Sequence, residues 1–493
     1  MKLAWMDAGV AVGLGFLLAV SPAAAASRKD KEAVERLAAR YHALNQFNGS
    51  LLVADETGVV LKKGYGQANM EWGIPAGPDT KFRIGSVTKQ FTATLILQLV
   101  GEGKVRLEDP VTKYLPDYRQ DTGSRVTVTH LLNHTSGIPS YTSNPKFGDV
   151  ARDPFTVAAF VKEHCSGDLQ FEPGTKYAYN NSGYFLLGAI IEKVTGKTYA
   201  QVLEERIFKP AGMKNSGYDV SATVLPKRAE GYDFKSGQYV NADYLDMGLP
   251  YAAGSIYSTV EDLYLWDQAL RGTTLLSEEL KKKMTTPGLD QYGFGVSLEP
   301  FTLDDGKTKL TAVYHGGGIN GFSSFFVRVP EKKQVVVALS NVGRGARPRP
   351  LSEGVLSILN GVAPKQPLKS IADEVSRILA TGTAQQALAT YQQLKGGKAG
   401  AEYFFGAGEL NRVGYDLLRV GRVPEAIEVF KANVEQFPED GNVHDSLGEA
   451  YLAQGNKALA KASYRRSLEL DPSNTNAEKV LKELDAPEAK KAP

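Results

Sequence analysis

Ser86 and Lys89 stand three residues apart in the stretch Ser86-Val87-Thr88-Lys89, at the head of a predicted helix that runs to about Val100. Three residues is just under one helical turn, so the hydroxyl and the amine emerge as neighbours on one face. A helix N-terminus adds free backbone N–H groups and a partial positive charge. That combination would lower the lysine pKa, let the amine take the serine proton and hold a developing oxyanion. The same spacing recurs at Ser143-Asn144-Pro145-Lys146, where Pro145 argues against a helix spanning the two. Spacing alone does not choose between the copies, so the choice falls to the residues that would have to join them.

Two further clusters follow in chain order. Tyr179-Asn180-Asn181 precedes an apolar helical stretch over Tyr184 to Lys193, and His315-Gly316-Gly317-Gly318 follows a predicted strand ending at Tyr314. The order S-x-x-K, Y-x-N, then a basic residue followed by small ones resembles the serine β-lactamase and penicillin-binding protein superfamily, in its class C and esterase-like branch. Supporting matches are Phe82-Arg83-Ile84-Gly85, Leu131 to Gly137, Phe171-Glu172-Pro173-Gly174 and Gly254 to Asp262, and the resemblance covers about residues 35 to 360.

The resemblance implies a role for each residue. Ser86 is the nucleophile that forms an acyl-enzyme, a task an unassisted hydroxyl does poorly. Lys89 is its base, kept neutral by burial and the helix terminus. Tyr179 shares the proton network, protonates the leaving group and activates the deacylating water, its phenolate favoured by the Lys89 cation. Asn181 orients Lys89 and binds a substrate amide. The backbone N–H groups of Ser86 and Gly318 form an oxyanion hole, at about 3 kcal/mol per donor in the transition state. His315, Gly316 and Gly317 contact substrate. Many relatives carry Lys where His315 stands and Thr or Ser where Gly316 stands, which suits a substrate carboxylate. A mostly neutral histidine and a glycine weaken that anchor, so weight moves from β-lactams to esters, amides and peptides. The Y-x-N frame selects Tyr179 over Tyr177, and His134 is expected to fasten a loop.

The elements that must position these groups read as an α+β domain. A helix over Lys29 to Leu44 is followed by two β-rich runs, Gly49 to Val53 and Val59 to Tyr65, around the turn Asp55-Glu56-Thr57-Gly58. Helices and loops dominate from Thr127 to about Leu276. Strands return at Tyr292 to Leu298, Leu310 to Tyr314, Phe322 to Val329 and Val335 to Ser340. This predicts an antiparallel sheet closed by chain-distant segments, flanked by helices and joined to a helical subdomain. After the linker Ala363 to Pro367 a 34-residue period begins: Gly414/Gly448, Leu417/Tyr451, Gly421/Gly455, Ala426/Ala460, Phe430/Tyr464 and Pro438/Pro472. It resembles tetratricopeptide repeats, with a degenerate further unit from about Leu368. The expected domains are a leader over 1–26, a hydrolase over 27–362 and an all-α repeat domain over 368–485.

Composition excludes several other classes. With 42% hydrophobic and 23% charged residues and a net charge of +2, neither disorder nor nucleic-acid binding is indicated. Lys2, the apolar run Ala11 to Val20 and the Ala-rich segment ending at Ala26 read as a secretory signal. The chain is therefore expected in the periplasm or outside the cell, without a stable membrane span. Cys165 is the only cysteine and reads as structural, and no G-x-S-x-G elbow is present. Gly196-Lys197-Thr198 imitates a phosphate-binding loop but has Ile191 where the upstream glycine belongs. The six histidines show no metal-ligand spacing, so neither metal nor cofactor is expected. Arg344, Arg347 and Arg349 read as a solvated loop within reach of an anionic substrate. The reading is a serine hydrolase for a small-molecule or peptide substrate, with a protein partner possible on the repeats. The alternatives are a D-alanyl or D-amino-acid peptidase or weak β-lactamase of the cell wall, and a catalytically silent penicillin-binding-like sensor or scaffold.

Overall fold

Two β-rich runs from opposite ends of the hydrolase region become neighbours in one sheet. The computed structural model describes residues 22–235 and 237–486, with side chains from Lys29 onward; the predicted leader lies outside the described residues except for the backbone of its last five. Strands β1 (Gly49–Asp55), β2 (Gly58–Tyr65), β3 (Val313–Ile319), β4 (Phe322–Val329) and β5 (Gln334–Ser340) form an antiparallel sheet in the order β3-β4-β5-β1-β2. The two halves join where Gly49 faces Ser340 and Val53 faces Val336.

The sheet is covered on both faces, which is why β5 reads as an almost unbroken apolar run. Val336 and Ala338 point to helices α1 (Pro22–Ala43) and α5 (Pro348–Leu359), packing with Leu37, Tyr41, Leu351 and Val355. Their neighbours Val335, Val337 and Leu339 point the other way, as the two-residue period requires. There they meet the core of α2 (Thr88–Gly101), α3 (Asn181–Thr195) and α4 (Val260–Arg271). Phe91 of α2 stacks on Trp266 of α4 with ring centroids 4.2 Å apart. Nearly every residue of α2 is buried, so the helix carrying Lys89 is enclosed on all sides.

Three local expectations change. Tyr292 to Leu298 alternates like a strand but forms only isolated bridges, Tyr292 with Ser297 and Ser297 with Tyr314, because Gly295 turns the chain at φ +72°. Strand β3 runs on through Ile319, so His315 to Gly318 lie within it instead of following it. Ser86 sits in a 3-10 turn, Gly85–Val87, just ahead of α2.

Helices α6 (Ile371–Leu379), α7 (Ala384–Gly396), α8 (Ala407–Arg419), α9 (Val423–Gln436), α10 (Gly441–Ala453), α11 (Lys457–Leu470) and α12 (Thr475–Asp485) share a core of their own. The 34-residue period has a packing cause: Gly414 and Gly448 lie against the rings of Phe430 and Tyr464.

Candidate active site

Gly85 adopts φ +51°, and a Cβ there would lie 3.0 Å from the backbone of Gly318. Only glycine meets both demands without strain. On the other side, a Cβ on Gly317 would fall 2.0 Å from the Ile84 carbonyl oxygen and 2.3 Å from Ser324 Oγ. Ser324 Oγ donates to that carbonyl at 2.8 Å. The turn bearing Ser86 and the free edge of β3 are therefore pressed together backbone to backbone, with Gly318 beside the nucleophile.

Lys89 is fully buried, and its Nζ has three neighbours: Ser86 Oγ at 3.1 Å, Asn181 Oδ1 at 2.8 Å and the Ala253 carbonyl oxygen at 2.9 Å. Burial drives its pKa well below the usual lysine range. A neutral amine has two N–H bonds and one lone pair. The amide and carbonyl oxygens can only accept, so they take the two N–H groups, and the lone pair is left for the Ser86 hydroxyl proton. Asn181 is itself fixed, since its Nδ2 donates to Thr142 Oγ1 at 3.0 Å and its backbone N–H donates to Ser140 Oγ at 3.1 Å. Ala253 belongs to the short turn Tyr251–Gly254, tied to α2 where Thr92 Oγ1 donates to the Ala252 carbonyl at 2.6 Å.

Tyr179 places its ring 4.8 Å from Lys89 Nζ and its hydroxyl end beside Ser86. The residue is 40% exposed because its ring edge borders the cleft. Its hydroxyl end is enclosed beside Ser86, and this loss of water raises the phenol pKa well above the ordinary value, the Ser86 contact offsetting part of the rise. Burial thus drives Lys89 toward amine and Tyr179 toward phenol. Tyr177 packs its ring on Tyr292 instead. His134 sits at φ +61°, its Nδ1 accepting the Asn180 N–H at 3.1 Å and its carbonyl the Ala178 N–H at 2.9 Å. It fastens the loop that delivers Tyr179 and Asn181. The second S-x-x-K copy stays apart: Ser143 ends a 3-10 turn and Lys146 is exposed.

The β-lactamase family model matches residues 34–358, which hold every one of these groups. The chain belongs to the β-lactamase family. A tetratricopeptide repeat model matches residues 441–474. Among relatives, the putative penicillin-binding protein PbpX of Bacillus subtilis (strain 168) is 32% identical over 317 residues, spanning 64% of this chain and 75% of the relative. The solved penicillin binding protein from Bacillus halodurans is 28% identical with a TM-score of 0.55, over 66% of this chain and 97% of that one. A D-stereospecific amidohydrolase from Streptomyces sp. is 28% identical with a TM-score of 0.56, over 69% and 99%.

Within this β-lactamase-family site, His315 has both ring nitrogens engaged. Its Nε2 accepts the Tyr292 hydroxyl proton at 2.9 Å, and its Nδ1–H donates to the Gly316 carbonyl at 2.5 Å. Burial holds its pKa down to about 3. It is a neutral strut in the wall of a cleft of about 420 Å³, lined also by Tyr179, Ser297, Gly316, Gly317 and Arg349. The three arginines keep partly exposed side chains, as the expected solvated loop requires, and each also meets an acidic partner. Arg344 pairs with Asp416 at 3.7 Å and Arg347 with Glu409 at 3.5 Å, both partners on α8. Arg349 pairs with Glu353 at 3.0 Å and lies over the Tyr314 ring. Sequence reasoning missed Ala253, Thr142 and Tyr292. The Gly254 to Asp262 match stops one residue short of the first, and the others carry no motif.

Proposed function

We propose that this chain is an exported serine hydrolase that cleaves ester, amide or peptide bonds through an acyl-enzyme on Ser86. The observation that carries the reading is the surroundings of Lys89 Nζ: two acceptors consume its N–H groups and Ser86 Oγ lies 3.1 Å away on the remaining side. Ser86 oxygen attacks the carbonyl carbon while its proton passes to Lys89. The oxyanion faces the backbone N–H groups of Ser86 and Gly318. Tyr179 passes its phenol proton to the leaving group and regains one from Lys89. Water then attacks the acyl carbon, giving a proton back through Tyr179 and restoring Ser86.

The neutral His315 offers no cation to a substrate carboxylate, so esters, amides and D-amino-acid peptides rank ahead of β-lactams. The names of the relatives, penicillin-binding proteins and a D-stereospecific amidohydrolase, support acyl chemistry on such substrates. The leader-like N-terminus supports a periplasmic or secreted protein, and the repeats suit a protein partner. The test is a fluorophosphonate or penicillin probe read by intact mass, followed by p-nitrophenyl esters, a chromogenic cephalosporin and D-amino-acid peptides. An adduct on the wild type that vanishes in Ser86→Ala is the expected result. No adduct under conditions that label a related hydrolase would instead identify a silent sensor.

A further inference from the structure

The segment Gly343 to Pro350 walls the site from two directions. Arg344 lines a polar cavity of about 370 Å³ together with Gly318 and Asn320. A few residues on, Ala346, Arg347 and Arg349 line the larger cleft beside His315 and Gly317. The hydrolase domain holds this segment through Arg344 N–H to Asp233 Oδ1 at 3.0 Å and Arg347 N–H to the Gln46 carbonyl at 2.8 Å. Two of its three guanidinium groups, those of Arg344 and Arg347, however, reach across to the repeat domain.

The partners there share one helix. Glu409 and Asp416 are seven residues apart on α8, two turns along one face and about 10 Å in rise. Arg344 and Arg347 are separated by a bend at Gly345, φ +94°, and each guanidinium meets one of these two acids. An exposed ion pair contributes little by itself, but Glu409 is not exposed. It is 6% accessible, accepts from Ser370 Oγ and from the Ala372 N–H at 3.2 Å, and so caps α6 while facing Arg347. Arg347 also lies over the Phe404 ring, and Gln46 Nε2 donates to the Leu368 carbonyl at 2.6 Å. Removing the charge from a buried carboxylate so placed releases its cation.

We propose that the repeat domain is a working part of the hydrolase: Glu409 and Asp416 are positioning residues that set the shape of the substrate cleft through Arg347 and Arg344. The kinetic side of this inference rests on the proposed function, and the structural side does not.

The full-length protein tests both. Glu409→Gln keeps the bonds from Ser370 and Ala372 and loses the ion pair to Arg347; Asp416→Asn loses the pair to Arg344 together with a closer one to Arg419 at 2.7 Å, so Arg419→Gln serves as its control. Hydrogen exchange at the amides of residues 343–347 is expected to quicken in both variants while β4 and β5 stay protected. KM for a carboxylate-bearing ester is expected to rise about three- to tenfold with kcat within about twofold. Arg344→Gln combined with Asp416→Asn should be no worse than either change alone. Unchanged exchange in the folded variants, or equal loss of kcat and affinity on every substrate, would overturn the proposal. If Glu409→Gln does not fold, the Arg344 and Asp416 cycle decides alone. A wild type that hydrolyses nothing removes the proposed function and leaves the coupling to be judged by exchange.

Discussion

Tyr292 donates its hydroxyl proton to Nε2 of His315 across 2.9 Å, and the other ring nitrogen is already committed to the Gly316 carbonyl. Both hydrogen-bonding positions of the imidazole are thus spent inside the protein, and its low pKa keeps it uncharged. His315→Lys would present an ammonium at this point of β3. We expect benzylpenicillin to acylate that variant about tenfold faster, the gain of a charge-assisted contact, with a neutral p-nitrophenyl ester little changed. Equal penicillin acylation rates in variant and wild type would show that the missing cation is not what disfavours β-lactams.

Lys89 is the residue whose removal should separate chemistry from stability. An arginine in its place cannot give up its proton, and an alanine leaves Ser86 without a base. Acylation in Lys89→Arg and Lys89→Ala is expected to fall by a factor on the order of 10³, measured by stopped-flow labelling of Ser86. Circular dichroism of both variants should retain the wild-type fold. Wild-type labelling rates in a folded Lys89→Ala would remove Lys89 from the mechanism.

The buried bases also make stability depend on pH. Lys89, His134 and His315 all have folded pKa values below their unfolded ones, with burial the main cause. The unfolded chain therefore binds protons that the folded chain refuses, and stability rises with pH. For His315 the contribution is fully present above about 6.5 and is lost as pH falls from there toward about 3. Between pH 7 and pH 5 it removes about 2 kcal/mol. The melting temperature should fall over this range, and less steeply in His315→Gln. A slope identical to wild type in that variant would contradict the burial argument.

Much of this site was legible because its chemistry depends on residue type at fixed spacing. Ser86, Lys89, Tyr179 and Asn181 are such residues, and the 34-residue period marks Gly414 and Gly448 by the bulk of Phe430 and Tyr464 opposite them. What escaped depends on the backbone or on distant chain. Any residue could supply the carbonyl that Ala253 gives to Lys89. The alternation of Tyr292 to Leu298 imitates a strand because Tyr292, Phe294 and Val296 must face inward, yet Gly295 bends it. That Arg344 and Arg347 also meet acids on α8 depends on a distant segment of chain. The neutrality of His315 follows from its burial in the folded cleft, which its place beside three glycines does not announce.

The union of β1 with β5, Gly49 opposite Ser340, has a consequence in time. During synthesis β1 and β2 emerge with one edge unpaired, and that edge stays open until the last strand of the domain is made. Such long-range pairing folds slowly and leaves an aggregation-prone rim meanwhile. Ser86, Lys89, Tyr179 and Asn181 all appear long before Gly318 and the rest of β3, which complete the cleft. A nascent chain thus carries its nucleophile well before it can use it, and catalytic competence is the last property this domain acquires.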